Sequence, residues 1–190
     1  PTQMMIFYQG VPNEISVSSP GVSNDKIEVT ISKGKITPKD KAKGEYLVEV
    51  PAGEKTATVT AYGTMDGKRV ELASYQFRVK RIPSPEAKIG GISSGKIDKN
   101  TLLAAGAIIP DMGDFEFGNF NYIITQYQLS TIVGGDYKTS GTIRNGGFSG
   151  EARSIIEKAK RGQKLFFENI QAKGPDGVIR TLNPINIEIK

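Results

Sequence analysis

Residues 26–32 read KIEVTIS, with Ile27, Val29 and Ile31 alternating against Lys26, Glu28, Thr30 and Ser32. Successive side chains of an extended chain leave on opposite faces, so a period of two describes a strand with one buried and one wet side. The pattern recurs on both sides of this stretch. EYLVEV at residues 45–50 aligns Tyr46, Val48 and Val50, and residues 56–62 align Ala57, Val59 and Ala61. Residues 75–81 set Tyr75, Phe77 and Val79 inward against Gln76, Arg78 and Lys80. Asp66 and Gly67 form a two-residue hairpin signal, because both residue types tolerate positive φ. The inward parity changes between Val70/Leu72 and Tyr75/Phe77, which predicts a β-bulge near Ala73 and Ser74. With residues 4–8 and 14–18 added, about seven short strands fit the first eighty residues, with turns every ~8–12 residues, the spacing of an immunoglobulin-like sandwich.

Two prolines in three residues, Pro83 and Pro85, stiffen the chain and bar both helix and central strand. They place a linker at residues 83–86 between a domain at 1–82 and a second at 87–190. In the second, Asp98 is an N-cap candidate for a short helix running to about Ala105 and closed by Gly106. Residues 115–132 form a long β-prone run whose parity shifts at Gly118 and Asn119. Residues 135–143 pair back. Ser149 and Glu151 start a helix over about 150–161, with Ala152, Ile155, Ile156 and Ala159 as its apolar stripe and Gly162 as its stop. Lys158, Lys160 and Arg161 complement its dipole. Residues 164–172, 178–182 and 185–189 complete the domain as strands, and Asp176-Gly177 makes a hairpin turn. The fold class is mainly β: two tandem domains, an immunoglobulin-like β-sandwich followed by a β-rich domain with one or two short helices.

Composition narrows the chemistry. The chain contains no Cys, His or Trp, which removes thiolate nucleophiles, thiolate metal sites and the commonest general base and metal ligand. Hydrophobic residues make up 37% and charged residues 24%, enough for a packed core. The formal charge of +5 is shared between the halves, unlike the one-sided charge of a nucleic-acid binder. No apolar stretch approaches the ~20 residues that cross a bilayer. A chain that begins at Pro1 reads as a fragment or a processed product with any anchor upstream.

The polar and aromatic clusters each have a structural reading. Lys33, Lys35, Lys39, Lys41 and Lys43 read as a charged edge and loop that discourages edge-to-edge pairing, rather than as an anion site. Phe115, Phe117, Phe120, Tyr122 and Tyr127 read as sandwich core, with a partner surface second. Asp111, Asp114 and Glu116 lack the spacing of a calcium loop and read as a polar loop. Gly90-Gly91, Gly134-Gly135 and Gly146-Gly147 do not extend into a phosphate-binding motif and read as turns. No catalytic, cofactor-binding or metal-binding residue is assigned, and no cofactor or small-molecule substrate is expected. A carboxylate-pair hydrolase has no pair that stands out.

Specific stretches carry a resemblance. QKLFFENIQAKGPDGVIRTL (163–182) with INIEI (185–189), the opening AKIGGISSGKI (87–97), and DFEF (114–117) leading into residues 122–129 resemble the C-terminal domain of the GldM/PorM family. IFYQGVPN (6–13), ISV (15–17) and VTISKG (29–34) resemble the preceding domain. The resemblance implies a non-enzymatic, periplasmic component of the type IX secretion system and gliding machinery of Bacteroidetes. Its members form an intertwined homodimer. A membrane helix absent from this chain pairs with GldL/PorL, and the last domain meets the GldK/PorK and GldN/PorN ring, carrying force from the inner membrane. Within that expectation, Asn145, Gly146 and Gly147 with Lys158, Lys160 and Arg161 are the candidate partner-binding residues, and Pro83 and Pro85 the hinge. A carbohydrate-binding or adhesin-like sandwich is the alternative, and the missing Trp counts against it.

Overall fold

A computed structural model describes residues 5–115 and 120–190. The chain is mainly β and divides into two compact units, Pro1–Ile82 and Pro83–Lys190.

In the first unit, seven strands are formed among the described residues: β1 (Ile6–Tyr8), β2 (Pro12–Ser16), β3 (Glu28–Ile31), β4 (Lys35–Asp40), β5 (Glu45–Glu49), β6 (Thr56–Met65) and β7 (Lys68–Lys80). They make a four-stranded sheet in the order β1-β7-β6-β3 and a three-stranded sheet in the order β2-β5-β4. This is the immunoglobulin arrangement with the first strand paired parallel to the last. Phe7, Ala57 and Val59 from one sheet meet Val48 and Val50 from the other, flanked by Ile15, Ile36, Val29, Ile31, Phe77 and Val79. Phe7 stacks on Phe77 with ring centroids 4.1 Å apart. The alternation in residues 26–32, 45–50 and 56–62 therefore marks the faces that close the sandwich.

Three details differ from the sequence expectation. The β6–β7 hairpin turns at Asp66 (φ 51°) and Gly67 (φ 74°) as expected, but its bulge falls at Leu72, one position early, between the pairs Ala61↔Ala73 and Tyr62↔Glu71. Tyr75, expected in the core, lies opposite Val59 yet is 59% exposed. There it lines an open groove with Ile15, Val17, Leu72 and Phe77. Among the described residues, β1 pairs with the last three residues of β7. Finally, β4 was not expected as a strand. It is a sheet edge containing Pro38, a residue tolerated at edges because it lacks an N–H.

The second unit packs two helices against a sheet. Its strands are β8 (Glu86–Lys88), β9 (Ser94–Ile97), β10 (Ile109–Asp111), β11 (Ile123–Val133), β12 (Asp136–Ile143), β13 (Lys164–Lys173), β14 (Ile179–Thr181) and β15 (Ile185–Ile189). Its helices are α1 (Lys99–Ala105) and α2 (Gly150–Lys158). The main sheet runs β12-β11-β13-β15-β9, with β14 also on β13 and β8 paired separately with β10. Leu102, Ala152, Ile155 and Ile156 from the helices are buried with Tyr127, Leu129, Leu165, Phe167, Ile185 and Ile187 from the strands. The parity of β13 slips after Phe167, so that Ile170 and Ala172 continue the buried set. Asn169, at φ 52°, absorbs the extra residue.

Helix α1 matches its expected span, and Gly106 closes it at φ 69°. Helix α2, expected over about 150–161, ends at Lys158 because Ala159 is extended (ψ 139°) and buried. Lys160 and Arg161 thus lie in the turn beyond it. Neither Asp98 nor Ser149 makes a side-chain cap bond. Within the run from 115, Ile123–Val133 is a strand, and the parity shift at Gly118 and Asn119, like Glu116, Phe117 and Met4, falls outside the described residues. Glu86, expected in the linker 83–86, opens β8.

Candidate functional site

Helix α2 separates the candidate partner-binding residues into two groups. Asn145, Gly146 and Gly147 precede its N-terminus, and Lys158, Lys160 and Arg161 lie at and beyond its C-terminus. Nine helical residues at ~1.5 Å each put roughly 13 Å between the two ends, so the fold does not bring the groups together.

The loop is a built crossing. Ile108 N donates to the Gly146 carbonyl at 2.8 Å and Phe148 N to the Gly106 carbonyl at 2.8 Å. The Tyr127 hydroxyl donates to the Gly147 carbonyl at 2.9 Å, and Asn145 Oδ1 accepts from Gly147 N at 2.8 Å. A Cβ on Gly146 would lie 3.0 Å from Ile124 Cβ, so the glycine admits close backbone approach. Tyr127 is fully buried, and burial pushes its phenol up to about 12. These contacts explain the loop as part of the core.

The helix end is different. Lys99 Nζ donates to the Glu157 carbonyl at 3.0 Å and to the Ala159 carbonyl at 3.2 Å. These are the acceptors that a helix C-terminus leaves open. Lys158 stands in the last turn, as the dipole reading expects, and Lys99, a residue the sequence pattern did not single out, supplies the direct bonds to the open carbonyls. Lys158, Lys160 and Arg161 are exposed, and no other described side chain bonds to theirs. The adjoining turn is held by Gly162 N on the Ile189 carbonyl at 2.7 Å and by Lys160 N on Gln163 Oε1 at 3.0 Å. Lys190 is nearby in the chain path and pairs with Asp98 at 3.3 Å. The result is a fixed helix end and turn presenting three exposed cations.

The other clusters are paired in part. In the lysine cluster, Lys33 pairs with Glu54 at 3.8 Å, Lys39 with Glu14 at 2.7 Å and Lys43 with Asp40 at 3.1 Å. The expected polar loop at Asp111 is instead strand β10, where Asp111 meets Lys88 at 2.7 Å and caps Gly113 N at 2.9 Å. Lys88 holds the Asp111 carboxyl below its ordinary range. Of the aromatic series, Tyr122 and Tyr127 are buried, and Phe115 and Phe120 pack against each other at 5.6 Å. Among the described residues no side-chain N or O is buried without a partner, and no three carboxylates converge on a metal-sized space. No described helix is long and apolar enough to cross a membrane.

Pro83 and Pro85 are both engaged by the second unit. Pro85 is buried, and the Pro83 carbonyl accepts a hydrogen bond from the Tyr122 hydroxyl at 2.9 Å.

Comparison with protein-family models gives two matches that together cover nearly the whole chain. Residues 1–80 match the GldM third domain, and residues 83–190 match the GldM C-terminal domain. No curated protein gives a significant match.

Proposed function

The chain belongs to the GldM family of membrane-anchored, periplasmic components of the type IX secretion and gliding machinery, and from that premise we propose that its two units are a non-catalytic scaffold. They pass force from the inner-membrane motor, GldL/PorL, to the outer-membrane-associated ring of GldK/PorK and GldN/PorN. The full-length protein acts as a homodimer. The work is done by stiff surfaces and interface contacts.

The observation that carries this reading is the turn after α2. Its cations Lys158, Lys160 and Arg161 stand on a backbone fixed at both sides, while Lys99 has taken over the helix-end carbonyls. Exposed charges on a fixed backbone are available to an acidic face of the ring. The loop at Asn145, Gly146 and Gly147 belongs to the same reading only as the support of the other end of α2.

Reversing the three charges together (Lys158→Glu, Lys160→Glu, Arg161→Glu) is expected to abolish capture of the ring proteins by the purified chain while leaving its melting profile in place. Undiminished capture would remove the turn from the interface. Replacing Pro83 and Pro85 by Gly is expected to leave both units folded and to weaken secretion, and light scattering reports the homodimer.

A further inference from the structure

We propose that residues 83–88 are a docked strap, held on the second unit by side-chain clamps, so that the proline-bearing segment is a fixed part of that unit. The rigidity of this segment then resides in Tyr122, Asn183 and their supports as well as in the prolines.

The downstream grip is at Ala87. Strand β8 pairs with β10 in the register Lys88↔Ile109, Ala87↔Pro110 and Glu86↔Asp111. In an antiparallel pair, alternate residues turn their backbone groups away from the partner strand. Pro110 has no N–H to offer, which fits that position. Ala87 accordingly turns its backbone to the other side, where one amide takes both groups. Ala87 N donates to Asn183 Oδ1 at 2.8 Å, and Asn183 Nδ2 donates to the Ala87 carbonyl at 3.2 Å. The Asn183 side chain thus stands in for a neighbouring strand. Ala87 is fully buried, and Lys88 closes the outer side by pairing with Asp111 at 2.7 Å and Glu86 at 3.4 Å.

The upstream grip is at Pro83, whose carbonyl receives the Tyr122 hydroxyl at 2.9 Å. Tyr122 is itself propped. The Arg180 guanidinium lies 5.3 Å from its ring centroid and is held in a two-point pair by Asp176, Nη2 to Oδ2 at 2.6 Å and Nη1 to Oδ1 at 3.0 Å. The Asp176 and Arg180 side chains are only 5% and 13% exposed. Gly174 makes room for the group: a Cβ there would lie 2.7 Å from Arg180 Nη1, 2.7 Å from Asp176 Oδ1 and 2.9 Å from Tyr122 Cε1. No methyl group fits without displacing the clamp. The hairpin between β13 and β14, read from sequence as a turn, is the foundation of the strap.

The strap deepens the force-path reading and rests on it only for its cellular consequence. Its test is amide hydrogen exchange on the 190-residue chain, with Leu165, Phe167 and Ile187 as internal controls. Residues 86–88 should be protected in the unsubstituted chain. Tyr122→Phe removes one hydroxyl and keeps the ring, and should speed exchange there roughly five-fold, the effect of one lost hydrogen bond. Asn183→Ala should do so more strongly at Ala87, while the controls stay unchanged. If Gly174→Ala fails to fold, the two milder variants still report. Free-peptide exchange at 86–88 in the unsubstituted chain, or no change in either mild variant, overturns the strap. Loosened exchange with normal secretion leaves the strap standing and counts against the force path.

Discussion

In the first unit two sheets face each other, and stability comes from apolar side chains meeting across the gap, with Phe7 stacked on Phe77 at its centre. Its charged residues lie outside and pair across exposed strands, as Arg69 does with Glu28 at 2.9 Å. In the second unit helices cover the core, and polar groups have been drawn in: the Asp176–Arg180 pair beneath Tyr122, the Tyr127 hydroxyl on Gly147, and Asn183 against Ala87. The sandwich uses such contacts mainly where β1, β2 and β5 meet, through Asn13. A sheet that must anchor helices, a crossing loop and an incoming strap needs hydrogen bonds with fixed direction. The contrast is one of degree: the first unit has its own oriented contacts, with Asn13 bonding Tyr8 N and the Tyr8, Val11 and Val48 carbonyls and the Tyr46 hydroxyl donating to Ile27 O, whereas the second adds the Asp176–Arg180 ion pair, which is nearly withdrawn from solvent.

The most disruptive way to test this contrast is to remove a core aromatic from one unit at a time. Phe167→Ala should destabilise the second unit by about 3–5 kcal/mol, and Phe7→Ala the first by a similar amount. Calorimetry should show a separate transition moving in each case. A single transition shifted equally by both would mean that the units unfold as one.

Next is the buried pair. Asp176→Asn leaves Arg180 with half a partner in a site that excludes water, and should cost the second unit about 3 kcal/mol at neutral pH. The hydrogen bonds from Arg180 hold the Asp176 carboxyl below its ordinary range. Its contribution is therefore full above the unfolded carboxylate pKa of ~3.9 and is lost as pH falls through the lower folded value. Acid should weaken the second unit's transition, and Asp176→Asn should flatten that dependence. Equal acid sensitivity in the two units would erase the distinction.

A smaller effect belongs to the sandwich. Gly34 sits at φ 103°, where a Cβ would run into the Glu49 carbonyl, so Gly34→Ala should destabilise the first unit by about 1–3 kcal/mol, readable by denaturant titration. The smallest concerns the surface. Lys33→Ala, Lys39→Ala and Lys43→Ala should each shift stability by about 0.5 kcal/mol or less. A larger change would show that the β4 edge contributes more than solvation.

Legibility followed the same contrast. The strands of the sandwich were readable because each has one dry face, so Val48, Ala57 and Val59 announce themselves by alternation. Strand β4 was not, since Ile36 is its lone aliphatic side chain and its neighbours are charged or polar. Tyr75 alternates correctly and is still 59% exposed, at the rim of a groove it shares with Ile15 and Ser16 of the opposing sheet. In the second unit α2 was legible from Ala152, Ile155 and Ile156, while its true end depended on Ala159 turning into the core. Of the candidate residues, Lys158, Lys160 and Arg161 are exposed, and the glycine loop is bound to the core through Tyr127. Asn183 and the bond from Tyr122 to Pro83 were missed because their partners lie 96 and 39 positions away, whereas the Asp176–Arg180 pair is local and was read only as part of a hairpin turn.

The sequence alone determined what can be encoded locally: strand faces by their period of two, the hairpin at Asp66 and Gly67, the break at the prolines, the missing residue types, and the family likeness. The tertiary structure decided everything that depends on distant segments meeting: which edges stay open, which cations are spent on carbonyls, and how Pro83 and Ala87 are gripped by side chains 39 and 96 positions away. Periodicity reports the environment of a residue, whereas a directed hydrogen bond requires two particular atoms to converge, and no local pattern specifies that convergence.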